Sequence, residues 1–412
     1  MSNESDKGLN CSRRDMLKLA GLGAAAMAFP GFARNAGAAA MTSVKQKVVE
    51  TDILVVGGGY AGILAAVKGR EKGMKVTLVE KGSILKSGLS PFAGGFMYYK
   101  GTEEEAKTLW KGANQIGNYI SNKDYFDMWV DKSEAAFEVL DSWKLFNPPS
   151  KEWRNIAGAK VKESGVNVIE RTMITHLLKQ EGRIAGAAGF SLDTEEITVV
   201  KAKAVILCSG AGAFKSPGYY TNSLTSDGDS MAYRIGAEIT GKEFNDAHWT
   251  HWENPAASHD NWSDHVNPSP HAGGGASNLD GNLNMYLPIK AHTEGPPILM
   301  EETGPGGVST RPRPHWSGVR DMALPIAGGA SAGLSVHKGE GLFPADDKCS
   351  SNIPGLYAAG DALGSMMCGA VYSLGGGSTS GSAVQGATAA ESAAAYAENI
   401  KQPQTKDSYL KM

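Results

Sequence analysis

Apolar residues fall in short runs separated by polar, glycine-rich turns along most of this chain. Asp52-Ile53-Leu54-Val55-Val56 and Val76-Thr77-Leu78-Val79 read as two strands, with a helix start between them. Helical periodicity follows over residues 103–143, in Ala106, Leu109, Trp110 and Ala113 and again in Phe126, Met128, Trp129, Ala135, Phe137 and Leu140, which predicts packing helices. Residues 166–178, 185–191 and 196–200 read as short strands of a meander, and 202–209 as a strand, apolar but for Lys203, ending in Ser209-Gly210-Ala211-Gly212. A helix is expected over 229–236. From 241 to about 324 the composition shifts to His, Trp, Asn, Pro and Gly with few apolar runs. A strand at 355–361 and an Ala-rich helix ending near Ile400 then complete an α/β pattern.

The first turn carries the most specific chemistry. Gly57-Gly58-Gly59-Tyr60-Ala61-Gly62 follows the first strand and opens a helix, and Glu80 ends the second strand. In such a GxGxxG unit Gly57 allows the turn, Gly59 lets backbone approach a pyrophosphate, and Gly62 lets helix and strand pack closely. Phosphate charge then sits on the helix N-terminus, beside Tyr60 and Ala61, and Glu80 accepts from ribose hydroxyls. Taken alone the fingerprint admits NAD or FAD. After it, Lys86-Ser87-Gly88-Leu89-Ser90-Pro91-Phe92-Ala93-Gly94-Gly95 is a loop whose small residues suit backbone lying against a flat ligand. Asp227, at the head of the expected helix, is available as cap or ligand. The predicted fold is a Rossmann-like nucleotide domain, a parallel sheet plus a small meander, with an inserted, shortened capping domain. Its expected divisions are 48–240, an insert over 241–324, a return over 325–400 and a tail over 401–412.

Composition narrows the partners. The chain has 412 residues and a formal net charge of −3, with no basic stripe, so nucleic acid is not an expected partner. Residues 1–40 read as an address: Ser12-Arg13-Arg14-Asp15-Met16-Leu17-Lys18, a mildly apolar stretch, then Ala36-Gly37-Ala38 and Ala38-Ala39-Ala40 as cleavage sites. Arg13-Arg14 resembles a twin-arginine export signal, which carries folded proteins to the periplasm or otherwise out of the cytoplasm. Beyond it lie three of the four cysteines, Cys208, Cys349 and Cys368, with no CxxC or CxxCH spacing, so neither haem c nor an iron–sulfur cluster is expected. Electrons must come from another molecule. Metal binding by His248, His251 or the 259–265 stretch has no motif behind it, and no metal is expected.

These pieces, spread in order over nearly the whole chain after residue 40, resemble the flavoprotein subunit family of fumarate reductases and succinate dehydrogenases. The resemblance implies FAD, and an FAD-binding role for Gly57, Gly59, Tyr60, Ala61, Gly62, Glu80, Lys81, Ser87, Gly88, Ser90, Ala93, Gly94, Gly95 and Gly210. It carries over in the same way to Asp227, Gly360 and Asp361 of Gly355-Leu356-Tyr357-Ala358-Ala359-Gly360-Asp361, and to Ser373, Leu374, Ser378 and Thr379. A helix N-terminus pointing at the flavin would stabilise negative charge on it. Where some members carry a flavin-linking histidine this chain has Gly88, so the flavin is expected to be non-covalent.

The catalytic match is partial. His248-Trp249-Thr250, Thr293-Glu294-Gly295 and Arg320-Asp321 resemble three of the family's substrate motifs, implying roles for His248, Thr293, Glu294 and Arg320. Arg320 is the expected proton donor and Glu294 its relay. Two carboxylate-clamp residues are missing: Ser373 stands where the clamp arginine would be, and the segment leading directly into Gly328-Gly329 offers no histidine. The loss argues against fumarate itself. The aromatic, His-rich stretch with Trp249, Trp252 and Trp262 reads either as a lid stacking on a planar substrate, a conjugated enoate or aromatic acid, or as a lid pinned by its own tryptophans. The expected activity is reduction of an activated C=C bond with electrons from a separate protein or quinol-linked subunit, in a heteromer or alone. Two alternatives stand beside it: an adenylylsulfate-reductase-like or dehydrogenase flavoprotein working with an iron–sulfur subunit, and a non-catalytic flavin-holding assembly partner.

Overall fold

A computed structural model of the chain describes residues 45–92, 96–117, 119–146, 153–194, 196–212, 225–242, 245–249, 298–300, 326–328, 334–339, 341–369 and 377–403. Strand β1 (Lys45–Val56), helix α1 (Tyr60–Glu71) and strand β2 (Val76–Val79) form the expected first unit. β1 and β2 are parallel, with Ile53 opposite Val76. Ile53, Leu54 and Val55 are fully buried, as is every residue of β2, because helices or loops cover both faces; that is why the runs do not alternate.

The periodic stretch over 103–143 is divided into α2 (Glu103–Ile116) and α3 (Lys123–Ser142). Thr102 and Glu105 form a reciprocal capping box at the start of α2, and the Asn122 side chain accepts from the Asp124 amide at the start of α3. Helix α4 (Trp153–Glu163) has no counterpart among the elements expected from the apolar pattern.

The strand expected over 166–178 is two strands. β3 (Asn167–Ile169) runs parallel to β2, and β4 (Thr172–Gln180) turns back to pair antiparallel with β5 (Arg183–Ser191). Arg171, at φ 55°, makes the break. Conversely, 196–200 and 202–209 belong to one strand, β6 (Glu196–Leu207). Its central lysines do not interrupt it because β1 supplies their counter-charges, Glu50 for Lys201 at 3.3 Å and Asp52 for Lys203 at 2.7 Å.

Helix α5 (Asp227–Arg234) starts two residues before its expected position. Within the expected insert and just after it, β7 (Asn245–Trp249), β8 (Ile298–Met300), β9 (Ile326–Gly328) and β10 (Leu334–Gly339) pair as β7 with β10 and β8 with β9, both antiparallel. Strand β11 (Leu356–Ala358) and helix α6 (Gly377–Glu398) close the described chain.

Parallel layer and meander are one seven-stranded sheet in the order β3-β2-β1-β6-β5-β4, with β11 also on β6. β6 changes neighbour along its length: residues 197–201 pair with β5 and residues 205–207 with β11. Small residues let α6 lie directly on α1, and Trp129 of α3 donates its indole N–H to the Ser380 hydroxyl of α6 at 2.8 Å, both fully buried. Cys208, Cys349 and Cys368 are buried, and none is in a disulfide among the described residues. Among the described residues no helix is long and apolar enough to cross a membrane.

The α1–α6 contact sets a clear test. A Cβ on Gly386 would lie 2.1 Å from the Ala61 carbonyl oxygen, a backbone atom that cannot step aside. Helix propensity alone would make Gly386→Ala stabilising by about 1 kcal/mol. Overpacking reverses the sign, and urea unfolding should show a loss of about 1–3 kcal/mol; a gain would refute the close crossing.

Candidate functional site

Four strand ends are laced together at one edge of the sheet. The Gly57 amide donates to the Val79 carbonyl at 2.8 Å, the Cys208 amide to Val56 at 2.8 Å and the Ala359 amide to Leu207 at 2.9 Å, which joins the carboxyl ends of β2, β1, β6 and β11 in a row. In open α/β sheets this edge is where ligands bind.

The first turn is shaped by what it cannot hold. Gly57 sits at φ +109°, and a Cβ there would lie 2.2 Å from the Cys208 carbonyl oxygen; a Cβ on Gly62 would lie 1.9 Å from the Gly57 oxygen. Only glycine brings the turn this close to the head of α1. That helix starts from Gly59 with no side-chain cap and no acid in its first turn, and its Tyr60 amide donates weakly to the Ser90 hydroxyl at 3.3 Å. A helix N-terminus left this way favours an anion. Behind it Cys208 is buried, and burial holds its thiol well above the usual thiol range.

Glu80 is only 6% exposed, yet both oxygens of its carboxylate are met by the protein. Oε2 accepts from the Gly58 amide at 2.6 Å; Oε1 accepts from the Gly82 amide and the Ser87 hydroxyl, each at 2.7 Å. The sequence pattern assigns Glu80 to a ligand hydroxyl pair and Ser87 to the ligand; in the structure they bond to each other, so together they organise the turn.

Next in sequence, Lys81 reaches the other side of the site, donating to Asp227 Oδ2 at 3.0 Å and to Thr225 Oγ1 at 2.8 Å. Asp227 does not cap its helix. The cap position is Ser226, in the left-handed conformation at φ 52°, and Asp227 is the first helical residue with its carboxylate turned to Lys81. Near Gly210, the Ser209 hydroxyl is buried with no partner among the described residues.

On the far side Gly360, at φ +67°, begins a short 3-10 turn with Asp361, and the first turn of α6 carries Ser378 and Thr379 with no acid. A narrow cleft between them is lined by Gly360, Asp361, Ser365, Cys368, Ser378 and Gln385. Gln385 and Ser365 are not among the site residues expected from sequence: a lone glutamine in an Ala-rich helix announces itself only by its polarity.

The structure thus brings together Gly57, Gly59, Tyr60, Ala61, Gly62, Glu80, Lys81, Ser87, Ser90, Gly210 and Asp227 on one side, with Gly360, Asp361, Ser378 and Thr379 around the second helix start. Gly88 is in the loop after β2, at φ +70° with open space where a side chain would go. Ala93, Gly94, Gly95, Ser373, Leu374, Thr293, Glu294 and Arg320 lie outside the described residues. His248 is described by its backbone only, paired with Ser335 in β7 and β10. Among the described residues no three His, Cys, Asp or Glu side chains are grouped to hold a metal.

Comparison with known proteins agrees with this geometry. Residues 52–216 match the family described as FAD dependent oxidoreductase. The chain is 24% identical over 232 residues to one subunit of the CoM/CoB fumarate reductase of Methanothermobacter marburgensis, covering 48% of this chain and 42% of that protein. It is 24% identical over 230 residues to a fumarate reductase flavoprotein subunit of Mycobacterium tuberculosis, covering 48% and 39%. Each match thus spans less than half of the relative's length. Among solved structures, the FrdA protein of E. coli quinol fumarate reductase superposes with a TM-score of 0.65 at 16% identity, over 87% of this chain and 72% of that one, a likeness of fold.

The residues fit FAD. The close glycine turn and the uncapped α1 terminus suit a pyrophosphate, and the buried Ser209 hydroxyl is a donor in want of an acceptor. Glu80 is the residue on which this half of the site turns. Glu80→Gln removes an acceptor for at least one of three donors, and denaturant unfolding should show a loss of about 1–3 kcal/mol, with FAD titration showing weaker binding. Wild-type stability and affinity together would contradict the geometry.

Proposed function

We propose that this chain, an FAD-dependent oxidoreductase related to the fumarate reductase flavoprotein subunits, is an exported reductase of an activated C=C bond fed by a separate electron carrier. The observation that carries the reading is the laced row of four strand ends, with two helix N-termini, those of α1 and α6, presented to one cofactor. Bound FAD supplies reversible two-electron hydride chemistry.

The chain's own residues do the rest. The Gly57–Gly62 turn holds the pyrophosphate, and the Glu80 carboxylate keeps that turn in shape. Lys81 ties the loop after β2 to Asp227. The first turn of α6 favours negative charge near it, which suits the electron-rich form of a bound flavin. For the substrate, one alkene carbon receives the hydride and its neighbour a proton. Arg320 delivers that proton from its guanidinium and is reprotonated by Glu294; His248 and Thr293 orient the group that polarises the alkene. Arginine holds its proton to a pKa above about 12, so Arg320 acts also as a fixed positive charge on the developing enolate.

The substrate is a conjugated enoate, with an aromatic acid favoured over fumarate. Ser373 in place of a clamp arginine cannot make the bidentate contact that a second carboxylate needs, and the Trp-rich stretch after His248 offers flat surfaces. The twin-arginine-like leader supports a site of action outside the cytoplasm, with a cytochrome or quinol-linked subunit as the electron donor.

Three measurements test the reading. The purified protein, reduced anaerobically with viologen, is offered enoates, cinnamates, urocanate, fumarate and sulfur compounds; reoxidation by an enoate supports it, and reoxidation by sulfur compounds alone, or by none, overturns it. In the same preparation acid precipitation should release all yellow colour, as Gly88 offers no attachment point. Arg320→Lys should abolish turnover while FAD remains bound; an active variant removes Arg320 from the mechanism.

A further inference from the structure

Gln385 lies in the third turn of α6 and is 4% exposed, in a helix whose buried face is mostly alanine and glycine. Both ends of its amide are used. Oε1 accepts from the Gly360 amide at 2.9 Å, and Nε2 donates to the Ser365 hydroxyl at 3.1 Å. Its main-chain carbonyl takes a third contact, from the Cys349 thiol at 3.6 Å. A buried primary amide with donor and acceptor both committed is costly to replace, since an apolar side chain strands both partners.

The partners bracket the segment that matters. Gly360 immediately precedes Asp361 and Ser365 lies four residues beyond it, so one side chain clamps both ends of the Asp361 turn to α6. Within that span the Leu363 amide donates to the Gly360 carbonyl at 2.9 Å, and the Leu342 amide to Ala362 at 3.0 Å. The same Gln385 also lines the cleft between Asp361 and the first turn of α6. Its amide spans from the helix to two points of the turn.

We infer that Gln385 is a positioning residue for the cofactor site, holding Asp361 at a fixed height over the start of α6 so that FAD meets a preformed turn. The inference rests on the FAD reading above. Without Gln385 the Gly360 amide and the Ser365 hydroxyl turn to water in the cofactor-free protein, and binding must re-form the turn. The cost therefore falls on affinity as well as on stability.

The test titrates FAD onto full-length cofactor-free protein and follows flavin fluorescence, with the visible circular dichroism of the flavin at saturation and the melting temperature of the cofactor-free protein measured alongside. Gln385→Leu should raise Kd at least tenfold and alter the flavin dichroism. Ser365→Ala, which removes only one of the two partners, should raise Kd about threefold, and it decides the question if Gln385→Leu does not fold. Thr51→Val removes a buried hydroxyl that donates to the Lys75 carbonyl at 2.7 Å, away from the cleft, and serves as the structural control. It should lower the melting temperature with Kd unchanged. An unchanged Kd in both cleft variants, or a Kd loss in Thr51→Val equal to theirs, overturns the inference. A wild-type protein that takes up no FAD would instead overturn the reading it rests on.

Discussion

Three donors from two segments converge on one buried carboxylate, that of Glu80: the Gly58 amide from the first turn, and the Gly82 amide and Ser87 hydroxyl from the loop after β2. A carboxylate taken out of water must find compensating bonds, or its burial costs several kcal/mol. The backbone is accordingly arranged around it. The first turn is drawn toward the end of β2, the loop after β2 folds back, and Lys81 is sent across the site to Asp227. Were Glu80 an apolar residue, the glycine turn would keep its steric freedom and lose what fixes its shape.

The site has two halves with different construction. Around α1 the glycines decide, with one buried carboxylate gathering the polar groups. Around α6 a neutral amide does the gathering: Gly360 and Ser365 come from the segment after β11, and Gln385 from deep within the helix. The two halves are registered by the Ala61–Gly386 approach, where α1 and α6 lie backbone to backbone. Movement of one helix is thereby transmitted to the other without any side chain between them.

Much of this was legible in the sequence, for identifiable reasons. The fingerprint, the acid at Glu80 and the fully apolar strands depend on neighbours a few residues apart, and local pattern reports them. The division at Arg171 was not legible, because a positive φ at an arginine is imposed by tertiary pairing of β3 with β2 and β4 with β5. The unbroken β6 was hidden by Lys201, whose counter-charge, Glu50, lies on β1 151 residues earlier. Asp227 reads from sequence as cap or ligand because acids before helices can be either; its partner in the structure, Lys81, is 146 positions away. Gln385 belongs to the same class, its meaning supplied entirely by residues it meets after folding.

β6 has one more property, and it bears on how the chain is made. One stretch of the strand is closed by β5, which precedes it directly, while Val205, Ile206 and Leu207 wait for Leu356, Tyr357 and Ala358, about 150 residues later. During synthesis the meander and the first nucleotide turn are complete long before that edge is covered. The growing chain therefore carries an apolar, unpaired strand edge through more than a third of its translation, a template for the wrong neighbour until β11 arrives. Escort of the nascent chain, rather than stability of the finished one, is where this architecture is most exposed.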